Sequence, residues 1–241
     1  MSPEIIAQLA PTGVLRAGIN LSNFLLVTGR DEHGSPEGVS PDMARAVAAR
    51  LGVPLRLVPF AQPGLLADAV GTDAWDIGLI GAEPQRAEKI AFTAAYAEIE
   101  ATYLVPAGSP IATLGEVDRP GVRIASTARA AYDLWLERNI SQATLLRAES
   151  IDGAFRLFTE QGLEALAGLR PRLLKDAQAL PGSRILDGKF SAVQQAIGTA
   201  RANGAAARFL HDFVEEAKAS GLVARLIEKH GVRGLSVAPA A

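Results

Sequence analysis

The chain has 241 residues, a formal net charge of −2, and 49% hydrophobic against 21% charged residues, an ordinary globular composition with room for one large domain or two small ones. Its charges are interspersed, which leaves no basic face to hold nucleic acid, and no apolar run approaches the roughly 20 residues needed to span a bilayer. With no cysteine, disulfides and thiol chemistry are excluded; the three histidines, His33, His211 and His230, lack metal spacing, so neither a metal nor another cofactor is expected.

In chain order, Pro3–Ala10 reads as a short helix and Val14–Ile19 as a first strand, followed by the polar turn Asn20–Phe24. Leu25–Thr28 and Glu37–Val39 are expected as two arms around the turn Arg30–Pro36. Ser40 reads as the cap of the next helix, with Pro41 at its first position and Met43, Ala44, Val47, Ala48 and Leu51 as its buried stripe. Leu55–Pro59 reads as a strand, Gly64–Val70 as a helix and Asp76–Ile80 as a buried strand closed by Gly81. This alternation predicts a parallel βαβαβ lobe, with Asn20–Phe24 and Gly81–Arg86 at the same edge.

Arg86 falls just beyond a strand's carboxyl end, where open α/β sheets bind ligands and where a guanidinium can grip a carboxylate or phosphate through paired hydrogen bonds. A solvent-facing arginine in the first turn of a helix is the alternative at that position.

Ala97–Pro106 alternates as an extended strand leaving the first lobe. Gly121–Ala125, Thr144–Ala148 and Glu164–Gly168 then read as strands of a second lobe, with a helix capped by Ser150 and running to Phe158. Ser183–Leu186 and Ala192–Ile197 are two more strands, the latter returning to the first lobe. Gly204–Ala219 and Gly221–His230 are amphipathic packing helices, and Ala238–Ala241 is expected to fray.

The stretch Gly81-Ala82-Glu83-Pro84-Gln85-Arg86, with Ile90-Ala91-Phe92-Thr93 and Tyr96, resembles the signature of the family 3 extracellular solute-binding proteins, which capture polar amino acids for ABC importers. The resemblance extends from about Thr12 to Gly231. It implies an α/β fold of the type II periplasmic-binding-protein kind: two βαβ lobes, residues 1–97 with 194–241 and residues 98–193, joined by a two-strand hinge over a ligand cleft. It also implies a small-molecule ligand, an ABC permease as partner and a monomer that does not insert into membrane. Met1-Ser2-Pro3-Glu4 has no secretory-signal pattern, so the implied location is periplasmic if a signal has been removed and cytoplasmic otherwise.

Aligned on Gly18, the resemblance makes Asn20, Asn23 and Phe24 ligand contacts, together with Gly81, Ala82 and Arg86. Amides that both donate and accept, beside an aromatic wall, suit such a role, although asparagines also simply favour turns. In the second lobe the family binds a ligand carboxylate at a strand–helix turn, which maps to Ser126, Thr127, Arg129 and Ala130; a helix start at Thr127–Ala130 would favour an anion on physical grounds alone. Where amino-acid binders carry an aspartate for the ligand's ammonium, this chain has Arg170, so an acidic metabolite is expected over a simple zwitterion. Arg170 turned to solvent, or replaced by Arg172, is the alternative. The same fold hosts a cyclohexadienyl dehydratase, for which Glu83, Glu98, Glu100 and Asp133 are the available acids; a cytoplasmic sensor is the third reading.

Overall fold

The computed structural model describes residues 2–241. By its internal contacts the chain divides into two units, Met1–Glu98 with Gln194–Ala241, and Ile99–Val193.

The first unit opens with helix α1 (Pro3–Leu9), whose proline sits in the first turn where its missing N–H costs nothing. Strand β1 (Leu15–Asn20) follows, with most of its residues buried. A two-residue hairpin, β2 (Gly29–Arg30) and β3 (Pro36–Glu37), precedes helix α2 (Val39–Leu51), which buries Met43, Ala44, Val47, Ala48 and Leu51. Strand β4 (Leu55–Phe60), helix α3 (Pro63–Asp68) and strand β5 (Ile77–Ala82) follow, then the short helix α4 (Pro84–Ala87) and strand β6 (Ile90–Phe92). β1 pairs in parallel with both β4 and β5, Ile19 lying opposite Pro59 and Leu79, so Asn20 and Gly81–Ala82 emerge at one carboxyl edge.

Gly18 and Gly78 are direct partners across β1 and β5. A Cβ on Gly78 would lie 2.8 Å from Leu66 Cδ2, and one on Gly18 3.3 Å from the Trp75 ring, so the paired glycines form the seat on which Leu66 and Trp75 pack. At the opposite end of the strands, Asp76 receives the Arg16 amide (2.8 Å), Nε (3.0 Å) and Nη2 (2.6 Å).

Strand β7 (Ala97–Val105) carries the chain into the second unit. A 3₁₀ turn at Leu114–Glu116 leads to strand β8 (Arg123–Thr127), helix α5 (Ala131–Asn139), strand β9 (Thr144–Ala148), helix α6 (Ile151–Glu160), strand β10 (Ala165–Leu169), helix α7 (Arg170–Gln178) and strand β11 (Arg184–Ile185). β9, β8 and β10 are parallel neighbours, and β7 runs antiparallel to β10 with Ala101 opposite Leu169. Both faces are buried: Tyr103, Ile124 and Ala167 pack with Leu136 of α5, while Leu104, Ala125 and Leu166 pack with Phe158 and Leu173 of α6 and α7.

Strand β12 (Ser191–Ala200) returns the chain to the first unit, where Gln194–Gly198 runs antiparallel to β5. Helices α8 (Gly204–Ala219) and α9 (Leu222–Lys229) and strand β13 (Ser236–Val237) complete it.

Several sequence expectations are corrected. The arms Leu25–Thr28 and Glu37–Val39 shift to β2 and β3, because Leu26 and Val27 turn back onto the Asn23 carbonyl and Val39 is already helical. Ser40 does not cap α2; Gly38 does, at φ 146°, where a Cβ would sit 2.2 Å from the Leu26 oxygen. The Ser40 hydroxyl instead meets the Tyr96 hydroxyl at 2.9 Å. β5 does not stop before Gly81, since Gly81 and Ala82 pair with Gln195 and Gln194. α7 and β13 were not anticipated, and Ala238 is buried with its amide on the Tyr96 carbonyl rather than frayed.

Removing Asp76 would leave Arg16 without its carboxylate in a largely buried setting, so Asp76→Ala should lower stability by about 3–5 kcal/mol in urea unfolding. A second test concerns Asp118. Burial alone would raise its pKa, but the amides of Ala143 (2.8 Å), Gln142 (2.7 Å) and Ser141 (3.0 Å) and the Ser141 hydroxyl outweigh it and hold the carboxyl at about 2 instead of 3.8. Its contribution is therefore complete above pH 3.8 and lost as the pH falls toward 2. The stability gap between the native chain and Asp118→Ala should be full at neutral pH and close toward pH 2.

Candidate functional site

In the first unit, the carboxyl edge of β1 and β5 is built from turn residues and one buried cation. Asn20 Oδ1 accepts from the Ser22 amide (3.2 Å) and hydroxyl (2.8 Å), and Asn23 Oδ1 from the Leu25 amide (3.2 Å). Both asparagines therefore shape their own turn, and what each has left to offer a ligand is chiefly its NH₂ group. Phe24, next to the buried Asn23, is 37% exposed, an apolar face open to solvent. Glu83 caps α4 by accepting from the Gln85 amide at 2.9 Å, which fixes the turn after β5.

That turn directs Arg86 inward. It is only 7% exposed, and its Nη1 donates to the Gly81 carbonyl at 2.7 Å. A surface arginine would have been the bland outcome of a short helix; this one is fixed against the end of β5. Gly81 and Ala82 contribute through their backbone as the last residues of that strand.

In the second unit, β8, β9 and β10 deliver the amino ends of α5, α6 and α7 to one edge, so three positive helix-dipole ends share it. Ser126 and Thr127 are the last residues of β8, and both hydroxyl oxygens are buried without a hydrogen-bond partner. Burial pushes the Tyr132 phenol up to about 12, partly offset by its nearness to the Thr127 hydroxyl, a contact that lacks full hydrogen-bond geometry. Thr127 and Tyr132 line a small hollow with Gly168, Leu169, Arg172 and Asp176.

The helix start expected at Thr127–Ala130 lies further on: α5 begins at Ala131, with Ala130 as its cap residue, and Arg129 forms a turn at φ 60°. That turn is held by Asp133, whose Oδ2 accepts from the Arg129 amide at 2.9 Å, while Arg147 Nε reaches both Asp133 oxygens at 2.9 and 3.0 Å. Arg129 itself is exposed. Arg170 follows β10 directly; its Nε donates to Glu100 at 2.7 Å and its Nη2 to the Gly188 carbonyl. Arg172 binds Asp176 at 2.8 Å and Asp152 at 2.7 Å while lining the hollow beside Thr127.

The sequence of residues 16–233 matches the family described as bacterial extracellular solute-binding proteins, family 3. The chain belongs to this family. Its fold is similar to that of a mutant ArgBP from T. maritima, at 21% identity and a TM-score of 0.75 over 95% of this chain and 100% of that one. It is also similar to the ancestral amino acid-binding protein AncCDT-1, described as a precursor of cyclohexadienyl dehydratase, at 21% identity and a TM-score of 0.74, covering 93% and 98% of the two chains. An amino acid ABC transporter substrate-binding protein from Streptococcus pneumoniae, bound to L-arginine, aligns at 17% identity and a TM-score of 0.74 over 98% of this chain and 100% of that one. At these identities the likeness establishes the fold, which is the type II periplasmic-binding-protein architecture. A search of curated proteins gives no match. No helix among the described residues is long and apolar enough to cross a membrane, and no group of three or more His, Asp or Glu among them could hold a metal ion.

The first unit thus brings Asn20, Asn23, Phe24, Gly81, Ala82 and Arg86 to the region of one strand edge, and the second does the same for Ser126, Thr127, Arg129, Ala130 and Arg170. Asp133 was expected there only as an available acid and holds a turn and an arginine instead; Arg147 went unnoticed in the sequence as a contributor to that edge. Arg147 gave no signal of its own, since a single arginine within a strand with exposed positions reads as a solvated side chain. Because the Ser126 hydroxyl is buried without a partner, Ser126→Ala should leave the stability of the ligand-free protein within about 1 kcal/mol of native, on the stabilising side, in urea unfolding.

Proposed function

We propose that this solute-binding protein captures a small polar solute carrying at least one carboxylate and presents it to an ABC importer, working outside the cytoplasmic membrane, a reading that the extracellular habit of its family supports. The observation that carries the reading is Arg86: a buried guanidinium fixed at the carboxyl end of β5, inside the family's own motif. The Ser126 and Thr127 hydroxyls, unpartnered and beside helix starts, supply neutral donors of the kind a carboxylate or carbonyl oxygen accepts. Asn20, Asn23 and Phe24 would add amide donors and an apolar wall.

Binding without turnover fits the acids available. Glu83 caps a helix, Glu98 accepts from Gln194 at 2.9 Å, Glu100 holds Arg170 and Asp133 holds Arg147. A general acid needs a proton to give and a geometry aimed at the substrate, and each of these carboxylates already has a structural task. The similarity to a precursor of cyclohexadienyl dehydratase is therefore read as shared fold.

A thermal-shift panel of carboxylates, amino acids and sugars tests the reading, since a ligand specific to the folded protein must raise its melting temperature. At least one carboxylate should do so. Arg86→Ala should then weaken that ligand by about 2–5 kcal/mol in calorimetry, the range for removing one partner of a buried charged contact. Unchanged affinity in this variant, or shifts from sugars alone, would overturn the assignment.

A further inference from the structure

The carboxyl edge of the second unit is crowded with acids, yet they are already bound to cations. Asp133, with a side chain 2% exposed, accepts three hydrogen bonds from Arg147 Nε and the Arg129 amide. A carboxylate offers about four lone-pair positions, so little acceptor capacity remains. Asp152 and Asp176 share Arg172. Glu100 takes Arg170 at 2.7 Å and has Lys189 at 3.7 Å. Glu149, just past β9, is engaged as well.

An ammonium group arriving at Asp133 would have to displace a guanidinium from its carboxylate. The displaced arginine would lose its anion in a partly desolvated place, and the Asp133 carboxylate, with a side chain only 2% exposed, would have to be reopened for the exchange. The starts of α5, α6 and α7 add positive potential to the same edge. An anionic or carbonyl oxygen meets neither cost. The Ser126 and Thr127 hydroxyls do not discriminate, because a hydroxyl both donates and accepts; the charges do.

Resting on the carboxylate reading above, we infer that the solute is a carboxylate without an ammonium group, of the keto-acid or dicarboxylic-acid class, and that the Arg170–Glu100 pair is the adjustable element of this selectivity. Arg147 and Arg172 bind buried aspartates, whereas Glu100 is 48% exposed and Arg170 28%, so this pair can part at lower cost.

The test is calorimetry on the full chain with probes that share a carbon skeleton: glutarate, 2-oxoglutarate and L-glutamate, with L-arginine and L-lysine alongside. An ammonium-free probe should bind at least about tenfold tighter than L-glutamate, a difference of about 1.4 kcal/mol, and the two basic amino acids should be weaker still. Arg170→Ala, which releases Glu100, should shrink the preference over L-glutamate at least about threefold, with a melting curve to establish that the variant is folded. Amino acids binding as tightly as their ammonium-free counterparts would overturn the inference while leaving the carboxylate reading intact. Failure of every carboxylate, amino acids included, would overturn that reading and the inference together. An unaltered preference in folded Arg170→Ala would remove the Arg170–Glu100 pair from the account.

Discussion

Both units rest on the same contact, an arginine at the foot of one strand holding the carboxylate at the foot of its parallel neighbour. Arg16 sends its amide and Nε to one oxygen of Asp76 and its Nη2 to the other; Arg123 does the same to Glu164, at 2.8, 2.9 and 2.8 Å. Because backbone and guanidinium converge on one carboxylate, a slip of one residue would break all three bonds at once. The register at the foot decides what arrives at the head: Asn20 beside Ile80–Gly81 in one unit, Thr127 beside Gly168–Leu169 in the other. The two pairs differ in weight. Asp76 is nearly buried, while Glu164 is about a third exposed and screened by water, so the first contributes more to stability than the second.

With register fixed, the chemistry of each edge follows from the residues just past the strand ends. Parallel strands place helix starts there, and helix starts favour anions. The first unit meets that bias with one buried arginine. The second meets it with Arg129, Arg147, Arg170 and Arg172, but balances them with acids in the opening turns of α5 and α6, farther along α7 and on β7. The result is an edge whose charges are largely internally neutralised and whose unsatisfied groups are two hydroxyls. Membership of a solute-binding family and an edge of this polarity are separate facts, and the second narrows what the first leaves open.

Packing within the first unit shows how much depends on small residues. Gly18 and Gly78, paired across β1 and β5, leave the space that Leu66 and Trp75 fill, and Trp75 Nε1 finds the Leu66 carbonyl at 3.0 Å. That cluster also takes in Ile80 of β5, the strand that leads into the turn carrying Arg86. A strand held by close packing and by the Asp76 contact is a firm base for a binding residue.

The sequence by itself determined the parts governed by local periodicity and composition: the buried stripe of α2, the bounds of α8, the buried strands β1 and β5, and the motif from Gly81 to Tyr96 that resembles the family's signature. It left α7 hidden, because Arg170-Pro171-Arg172 with Lys175 and Asp176 offers few apolar residues to signal a helix, and β13 hidden because two residues have no period. Tertiary structure alone decided that Ser40 faces Tyr96, 56 residues away, instead of capping its helix, that Arg86 is buried, and that Arg170 meets Glu100 across 70 positions of sequence. The physical reason is the same in each case. Hydrophobic burial acts on the averaged pattern of a segment, which is written locally, whereas the partner of a single polar side chain is chosen by which distant strand the sheet register brings alongside it.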